Sequence, residues 1–292
     1  MGKEPEWTIA TLLKWTTSYF DSHKTDSPRI TAEILLAHAL KIKRIDLYLQ
    51  YDKPLSEKEL SAFKTLIKRR IRHEPVAYIT GSKEFWSLDF TITRDVLIPR
   101  PDTECLLETA LPLLPRNKTD LPKLVLELGT GSGAVIIALA AERPGHLFFA
   151  SDLSVPAADL AKKNAAAHCM QHAIHFFCSN WFKAVKTKPL FDIILSNPPY
   201  IKSGEIQTLD PEICQFEPLM ALDGDRDGLA ALEKIIKSAD SYLKPGGYLL
   251  LEMGHDQTNQ VADIAERCGS YEEREFRKDY AGHHRVVKLK KK

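Results

Sequence analysis

Asn197, Pro198, Pro199 and Tyr200 stand where the apolar run Phe191-Asp192-Ile193-Ile194-Leu195 should either continue as a buried strand or turn. Prolines end strands and Asn favours turns, so the tetrapeptide reads as a stop signal. It also suits a planar –NH2 group. The side-chain oxygen of Asn197 and the carbonyl of Pro198 can each accept one N–H, while the Tyr200 ring can pack on the flat face of the group. A nitrogen whose lone pair is delocalised into a π-system is a poor nucleophile. Holding both of its hydrogens pushes it towards tetrahedral geometry and aims the lone pair at an electrophile about 3–3.5 Å away.

A second cluster supplies a ligand site. Glu127-Leu128-Gly129-Thr130-Gly131-Ser132-Gly133 follows the strand KLVLEL and opens the helix AVIIALAAE. Glycines let the backbone turn tightly and approach a ligand, and the helix N-terminus offers free N–H groups. The Gly-Lys-Ser/Thr of a phosphate-binding P-loop is absent, while Gly129, Gly131 and Ala134 satisfy the G-x-G-x-x-G/A of a dinucleotide site. The next strand ends in Ser151-Asp152, where a ribose-binding carboxylate belongs, with two oxygens for two hydroxyls. The bland alternative is that Asp152 merely caps the helix that follows it. Loop and acid together suit NAD and S-adenosylmethionine alike. Hydride transfer has no use for a grip on an –NH2 group, whereas methyl transfer to nitrogen does.

These residues need a sheet to bring them together. KLVLEL, HLFFAS, IHFFCS, FDIILS and YLLLEM read as strands, separated by helical stretches such as VPAADLAKKNAAAH and DGLAALEKIIKSADSYL. Strands alternating with crossover helices imply a doubly wound, mostly parallel α/β sheet over residues 102–292, whose chemistry belongs at the carboxyl ends of its strands. Residues 1–80 read as a small all-helical domain. Ile9, Leu12, Leu13, Tyr19 and Phe20 share a face, Ser27-Pro28 reads as a cap with a first-turn proline before Ile30, Ile34 and Leu35, and Ser56-Glu57-Lys58-Glu59 matches a capping box. That box opens a helix with Leu60, Phe63, Ile67 and Ile71 inward. Residues 81–101 alternate about Leu88-Asp89 as a β-hairpin linker would.

Composition narrows the partners. The chain has 292 residues, 44% hydrophobic and 27% charged, and a formal charge of +1, which favours no polyelectrolyte partner. Only KRRIRH, residues 68–73, is locally basic, and Lys288–Lys292 reads as a solvated tail. Met1–Glu6 lacks a signal-peptide stretch and a myristoylation motif, and the longest apolar run, Ala134–Ala141, is too short to span a bilayer, so a cytoplasmic protein without a membrane partner is expected. Five cysteines without C-x-x-C suggest core residues rather than disulfides or zinc. His168, Cys169, His172, His175 and Cys178 run through a helix end, a turn and a strand, so no metal is expected from them.

In combination the motifs resemble a known family. E-x-G-x-G-x-G, Asp152 and NPPY are similar to class I S-adenosylmethionine-dependent methyltransferases that modify amide or exocyclic amine nitrogens. NPPY alone is shared by adenine-N(6) DNA, ribosomal RNA guanine and protein glutamine methyltransferases. The segment "RRIRHEPVAYITGSKEFWSLDFTITRDVLIPRPDTE" (69–104), with "SNWF", "NPPYI", "ALDGDRDGL", "LKPGGYLLLEMG" and "DYAGHHRVV", resembles the protein-(glutamine-N(5)) methyltransferases of peptide chain release factors. Ile98–Glu104 favours these over the ribosomal-protein glutamine methyltransferases. The resemblance covers most of the chain, with small departures at "DGDRDG" and "HHR" that are read as lying away from the site. It implies a seven-stranded Rossmann-like sheet with an N-terminal helical substrate-docking domain, and a monomer that uses S-adenosylmethionine and releases S-adenosylhomocysteine. The implied substrate is the glutamine of the Gly-Gly-Gln motif in class 1 release factors, with no direct nucleic-acid partner. Gly129, Thr130, Gly131, Ser132, Gly133 and Asp152 would bind the cofactor and Trp181 would lie near its adenine. Asn197 would touch cofactor and substrate, and Pro198, Pro199 and Tyr200 the substrate, with Asn197, Pro198 and Tyr200 in the catalytic roles. Arg100, Thr103 and Glu104 would either close the site or pack the domains. A nucleic-acid adenine methyltransferase is the rival within the reaction class; a dinucleotide oxidoreductase or a non-catalytic scaffold is the rival outside it.

Overall fold

In the computed structural model, residues 7–116 and 121–292 are described, so the reading of Met1–Glu6 lies outside the described residues. The chain divides into two units: residues up to Ser82 together with Asp210–Phe216, and Lys83–Leu209 together with Glu217–Lys292.

The first unit is helical. Helix Ile9–Ser22 buries Ile9, Leu12, Leu13, Thr16 and Phe20, and is capped by Thr8, which exchanges hydrogen bonds with Thr11. Helix Pro28–Leu40 starts at the expected proline, but Ser27 sits in the left-handed region and makes no side-chain cap. Ile30 of that helix is exposed, and Ala32, Leu35 and Leu36 form the inward face instead. The capping box at Ser56 is present, opening helix Glu57–Arg70, which buries Phe63 and Ile67. Two arginines of the basic run are paired within the unit. Arg69 makes a two-pronged bond to Glu74, at 2.7 and 2.8 Å, and Arg70, only 3% exposed, pairs with Glu212 of the second segment. An unpaired buried guanidinium would be costly, so Glu212 is what lets Arg70 lie inside.

A hairpin of β1 (Ser82–Phe85) and β2 (Leu88–Thr91) begins at the boundary residue Ser82 and lies otherwise in the second unit. Its turn falls on Trp86-Ser87, two residues before the expected Leu88-Asp89; both have positive φ, 52° and 58°, as a tight two-residue hairpin turn requires. Trp86 tolerates that strain because its N–H and its indole are held by Glu104 and Glu142. Then come β3 (Leu124–Leu128), β4 (Leu147–Asp152), β5 (Ile174–Cys178), β6 (Phe191–Ser196), β7 (Leu243–Glu252), β8 (Tyr271–Lys278) and β9 (His284–Lys291), forming one seven-stranded sheet in the order β5-β4-β3-β6-β7-β9-β8. β5 to β7 are parallel, and β9 and β8 close one edge antiparallel. This is the expected Rossmann-like methyltransferase sheet. Its aliphatic strands pack against helices including Ala230–Ala239 and Thr258–Cys268, burying Ile194, Leu249, Leu251, Ile235 and Val261.

Two expectations fail here. Lys288–Lys291 is no solvated tail but part of β9, between β7 and β8, with Val286, Val287 and Leu289 fully buried. Its lysines run their stems over the sheet and reach Glu275, Glu272 and Glu273 or backbone carbonyls. Nor are the cysteines uniformly core residues: Cys105 is buried, but Cys169 and Cys178 are exposed. No helix among the described residues is long and apolar enough to cross a membrane. Deleting His284–Lys292 is therefore expected to abolish cooperative melting of the sheet unit, as followed by circular dichroism. Retention of the wild-type transition would mean that β9 is dispensable, as a tail would be.

Candidate active site

Three strands end at one level. Leu128 of β3 is in register with Ser151 of β4 and with Ser196 of β6, so the glycine loop, Asp152 and Asn197 leave the sheet side by side. β3 is also where the strand order reverses, the place at which open α/β sheets form a ligand crevice. Gly129 and Thr130 donate backbone N–H to the Ser151 carbonyl at 2.8 and 3.0 Å. The Ser196 hydroxyl donates to the Leu128 carbonyl at 2.7 Å. These cross-links hold the three strand ends together.

A cavity of about 300 Å³ opens there, lined by Gly129, Thr130, Gly131, Ser132, Asp152, Trp181, Asn197, Pro198 and Pro199, and by Arg100 and Thr103 from the segment after the hairpin. Gly133 does not line it. A Cβ at Gly133, whose φ is +81°, would stand 2.8 Å from Ile137 and 3.1 Å from Ala161, so this glycine seats two helices against each other. Asp152 accepts from the Gly131 N–H and the Ser154 N–H, both at 2.9 Å, and Ser154, not Asp152, caps helix Val155–Ala167. Burial raises the pKa of Asp152, and the backbone donors of Ser154, Gly131 and Leu153 pull it back. The carboxylate keeps acceptor capacity for a further donor.

Asn197 donates from Nδ2 to the Thr103 hydroxyl at 3.2 Å, which leaves its side-chain oxygen for a ligand. Tyr200 does not line the cavity. Its hydroxyl donates to Glu252 at 3.2 Å and its carbonyl accepts from Gln257 at 2.9 Å. A Cβ on Gly224 or Gly228 would run into the Tyr200 backbone, at 2.8 and 2.4 Å. The "DGDRDG" segment thus backs the site, contrary to expectation, and so does Arg285 of "HHR", whose charge acts on Tyr200 and Glu252. Neighbouring glycines must let this loop lie flush on the NPPY backbone.

Several positioning groups escaped the sequence reading. Buried Glu217 accepts the Ile98 N–H at 3.2 Å and pairs with Arg100, fastening the segment before Pro101 to the cavity wall. Asn164, 1% exposed, bonds Thr91 on β2 and the Ser132 carbonyl, tying hairpin to glycine loop. Glu104 lies off the cavity and receives the Trp86 N–H. Glu252 carries the one signal that sequence offers, a carboxylate that follows the aliphatic run Leu249-Leu250-Leu251 at the end of its strand. Among the described residues no group of three or more His, Cys, Asp or Glu side chains could hold a metal ion; His168 bonds the Asp89 carbonyl and His175 packs on Phe149.

Fold and site together define a Rossmann-like methyltransferase. A solved methyltransferase from Pyrococcus furiosus superposes with a TM-score of 0.52 at 20% identity, over 77% of this chain and 98% of that one, which speaks for the fold alone. The profile of the PrmC N-terminal domain matches residues 11–81, and that of the methyltransferase small domain residues 104–213. A release factor glutamine methyltransferase of Rhodopirellula baltica is 37% identical over 99% of this chain and 98% of its own length. Another from Geobacter sulfurreducens is 39% identical over 92% of both. The chain belongs to the release factor glutamine methyltransferase family.

The fully buried Glu127 is pushed up to about 8, chiefly by desolvation and further by the charge of Asp152, while the Thr130 hydroxyl lowers it. Its folded pKa exceeds the unfolded value near 4.5, so its contribution to stability is fully present below that value and is lost as pH rises through about 8. Glu127→Gln is therefore expected to gain stability over the wild type by on the order of a few kcal/mol between pH 5 and pH 9. Melting curves of the two proteins across that range check this; a pH-independent gap would mean that Glu127 ionises freely.

Proposed function

We propose that the protein methylates the side-chain amide nitrogen of the glutamine in the Gly-Gly-Gln motif of class 1 peptide chain release factors, using S-adenosylmethionine. Membership of the family supports the reaction. The observation that carries the assignment to this cavity is the Asn197 amide, whose nitrogen is engaged by Thr103 and whose oxygen is left for an N–H donor.

The cavity fits the cofactor. A Cβ built on Gly131 meets no atom within 4 Å, so the loop has room for a ligand against its backbone. Asp152 has acceptor capacity for a ribose hydroxyl and a carboxylate that suits a cationic ligand, and Trp181 offers a ring for a base. Bound there, S-adenosylmethionine supplies an electrophilic methyl group on a sulfonium. Asn197 and the Pro198 carbonyl accept the two amide N–H bonds and orient the nitrogen lone pair; the rigid prolines hold those acceptors still. Water takes the proton that the methylated nitrogen sheds, so no side chain is assigned as a base. Tyr200 acts from behind, fixing the loop, rather than by stacking on the amide. Residues 1–80 are read as the domain that docks the rest of the factor, because three residues cannot provide an interface of standard size.

An adenine-directed enzyme would need cations free for phosphates, and the basic run 68–73 has two of its arginines committed to Glu74 and Glu212. Mass spectrometry of a class 1 release factor incubated with the protein and labelled S-adenosylmethionine tests the reading: one methyl on the motif glutamine is expected, and methyl incorporation into DNA instead would sink it. Asp152→Ala is expected to weaken cofactor binding by about 1.5–3 kcal/mol in calorimetry. Asn197→Ala should abolish most turnover in a folded protein.

A further inference from the structure

An asparagine can present its oxygen or its nitrogen to a ligand, and only the oxygen accepts an amide N–H. Which way round Asn197 sits is decided behind it. Thr103, 6% exposed, meets Asn197 on one side, and its hydroxyl acts on the carboxylate of Glu252 on the other. Glu252 is 1% exposed. One of its oxygens accepts from Tyr200 at 3.2 Å, and the other, Oε2, has no partner at ordinary hydrogen-bond length among the described residues. A buried carboxylate oxygen in want of a donor, beside a hydroxyl with one proton to give, sets the direction of the chain of bonds.

Building on the assignment of Asn197 as acceptor for the substrate amide, we propose that Thr103 and Glu252 form a polarised relay that holds the Asn197 oxygen towards the cavity, with Glu252 a positioning residue that acts only when ionised. An ionised carboxylate is an acceptor only, so it takes the Thr103 proton. The Thr103 oxygen is then left to accept, and the Asn197 nitrogen is what it accepts from. A protonated Glu252 reverses the polarity: its O–H donates to Thr103, Thr103 donates to the Asn197 oxygen, and the amide turns its –NH2 into the cavity. There it faces the N–H bonds of the substrate donor to donor.

The groups around Glu252 let this switch work near neutrality. Tyr200 faces it from the loop after β6, Arg285 from β9, and Asp102 and Cys105 from either side of Thr103. Arg285 divides its charge between Asp102 at 3.0 Å and Asp279 at 3.1 Å. Desolvation therefore dominates, the Thr103 hydroxyl, Arg285 and Tyr200 oppose it, and Glu252 rests at about 7.

Steady-state kinetics of the full-length protein, with a release factor carrying Gly-Gly-Gln and with S-adenosylmethionine, test the relay. Wild-type kcat is expected to fall about tenfold per pH unit below about 7 while calorimetric affinity for the cofactor holds. Glu252→Gln and Thr103→Val should each lower kcat ~10- to 100-fold with little change in KM or melting temperature, the size typical of supporting groups around a site. Glu252→Gln should also lose the acid limb, which Asp152 or Glu127 would not let it lose. Thr103→Ser, which keeps the hydroxyl, should restore the wild-type profile, and the double variant Glu252→Gln/Thr103→Val should be no worse than either single one. If Asn197→Ala is active, the acceptor assignment itself fails. If Asn197→Ala is inactive but Thr103→Val keeps the wild-type kcat and acid limb, the relay alone is overturned; Thr103→Val and the wild-type pH profile decide this even where Glu252→Gln does not fold.

Discussion

The register of three adjacent parallel strands is the constraint on which the site depends. Because Leu128 stands opposite both Ser151 and Ser196, the residues that follow each strand emerge at the same height. A slip of one residue in β6 would move Ile193, Ile194 and Leu195, all buried, each to the opposite covered face and would shift Asn197 from the level of the glycine loop, so the packing on both faces that specifies the register also specifies the site. The backbone bonds from Gly129 and Thr130 to Ser151, and from Ser196 to Leu128, lock the level where the ladders end.

Around that edge the protein accepts buried charge. Glu127, Glu217 and Glu252 all lie inside the sheet unit, each meeting a hydroxyl, a guanidinium or a backbone N–H. Buried carboxylates seldom add stability against an apolar alternative. What they add here is direction: Glu217 fixes the chain from Ile98 to Arg100, and Glu252 stands behind Thr103 and Tyr200. Desolvation raises Glu127 to about 8 and Glu252 to about 7, so the burial of these carboxylates shifts their acidity as well as their position.

The tetrapeptide is gripped from the rear as much as it is stiffened by its own prolines. Gln257 holds the Tyr200 and Gly228 carbonyls together, at 2.9 and 3.1 Å, and takes the Gly254 N–H in return. Gly224 and Gly228 lie too near Tyr200 to carry side chains. The Tyr200 ring packs against the core of the sheet unit, and its hydroxyl donates to Glu252.

Local patterns sufficed wherever one short segment carried both the shape and the reason for it. The alternation of aliphatic strands with helices, the capping box at Ser56, the glycine loop after KLVLEL and the stop at NPPY were all legible, because periodicity, capping and turn chemistry act within a few residues. The hairpin turn was misplaced because Trp86 and Ser87 are not residues that favour positive φ, and the Glu104 and Glu142 carboxylates that hold Trp86 lie far along the chain. The last lysines passed for a tail because what makes them a strand is pairing with β7, far back in the sequence, as in Tyr248 with Lys290 and Leu250 with Lys288. Which side of Asn197 faces a ligand, why Gly133 cannot be larger, and what Glu252 is for depend on partners that the chain brings together only on folding. Hydrogen bonds and close packing are short-ranged in space and indifferent to distance along the chain, so those answers belong to the tertiary structure.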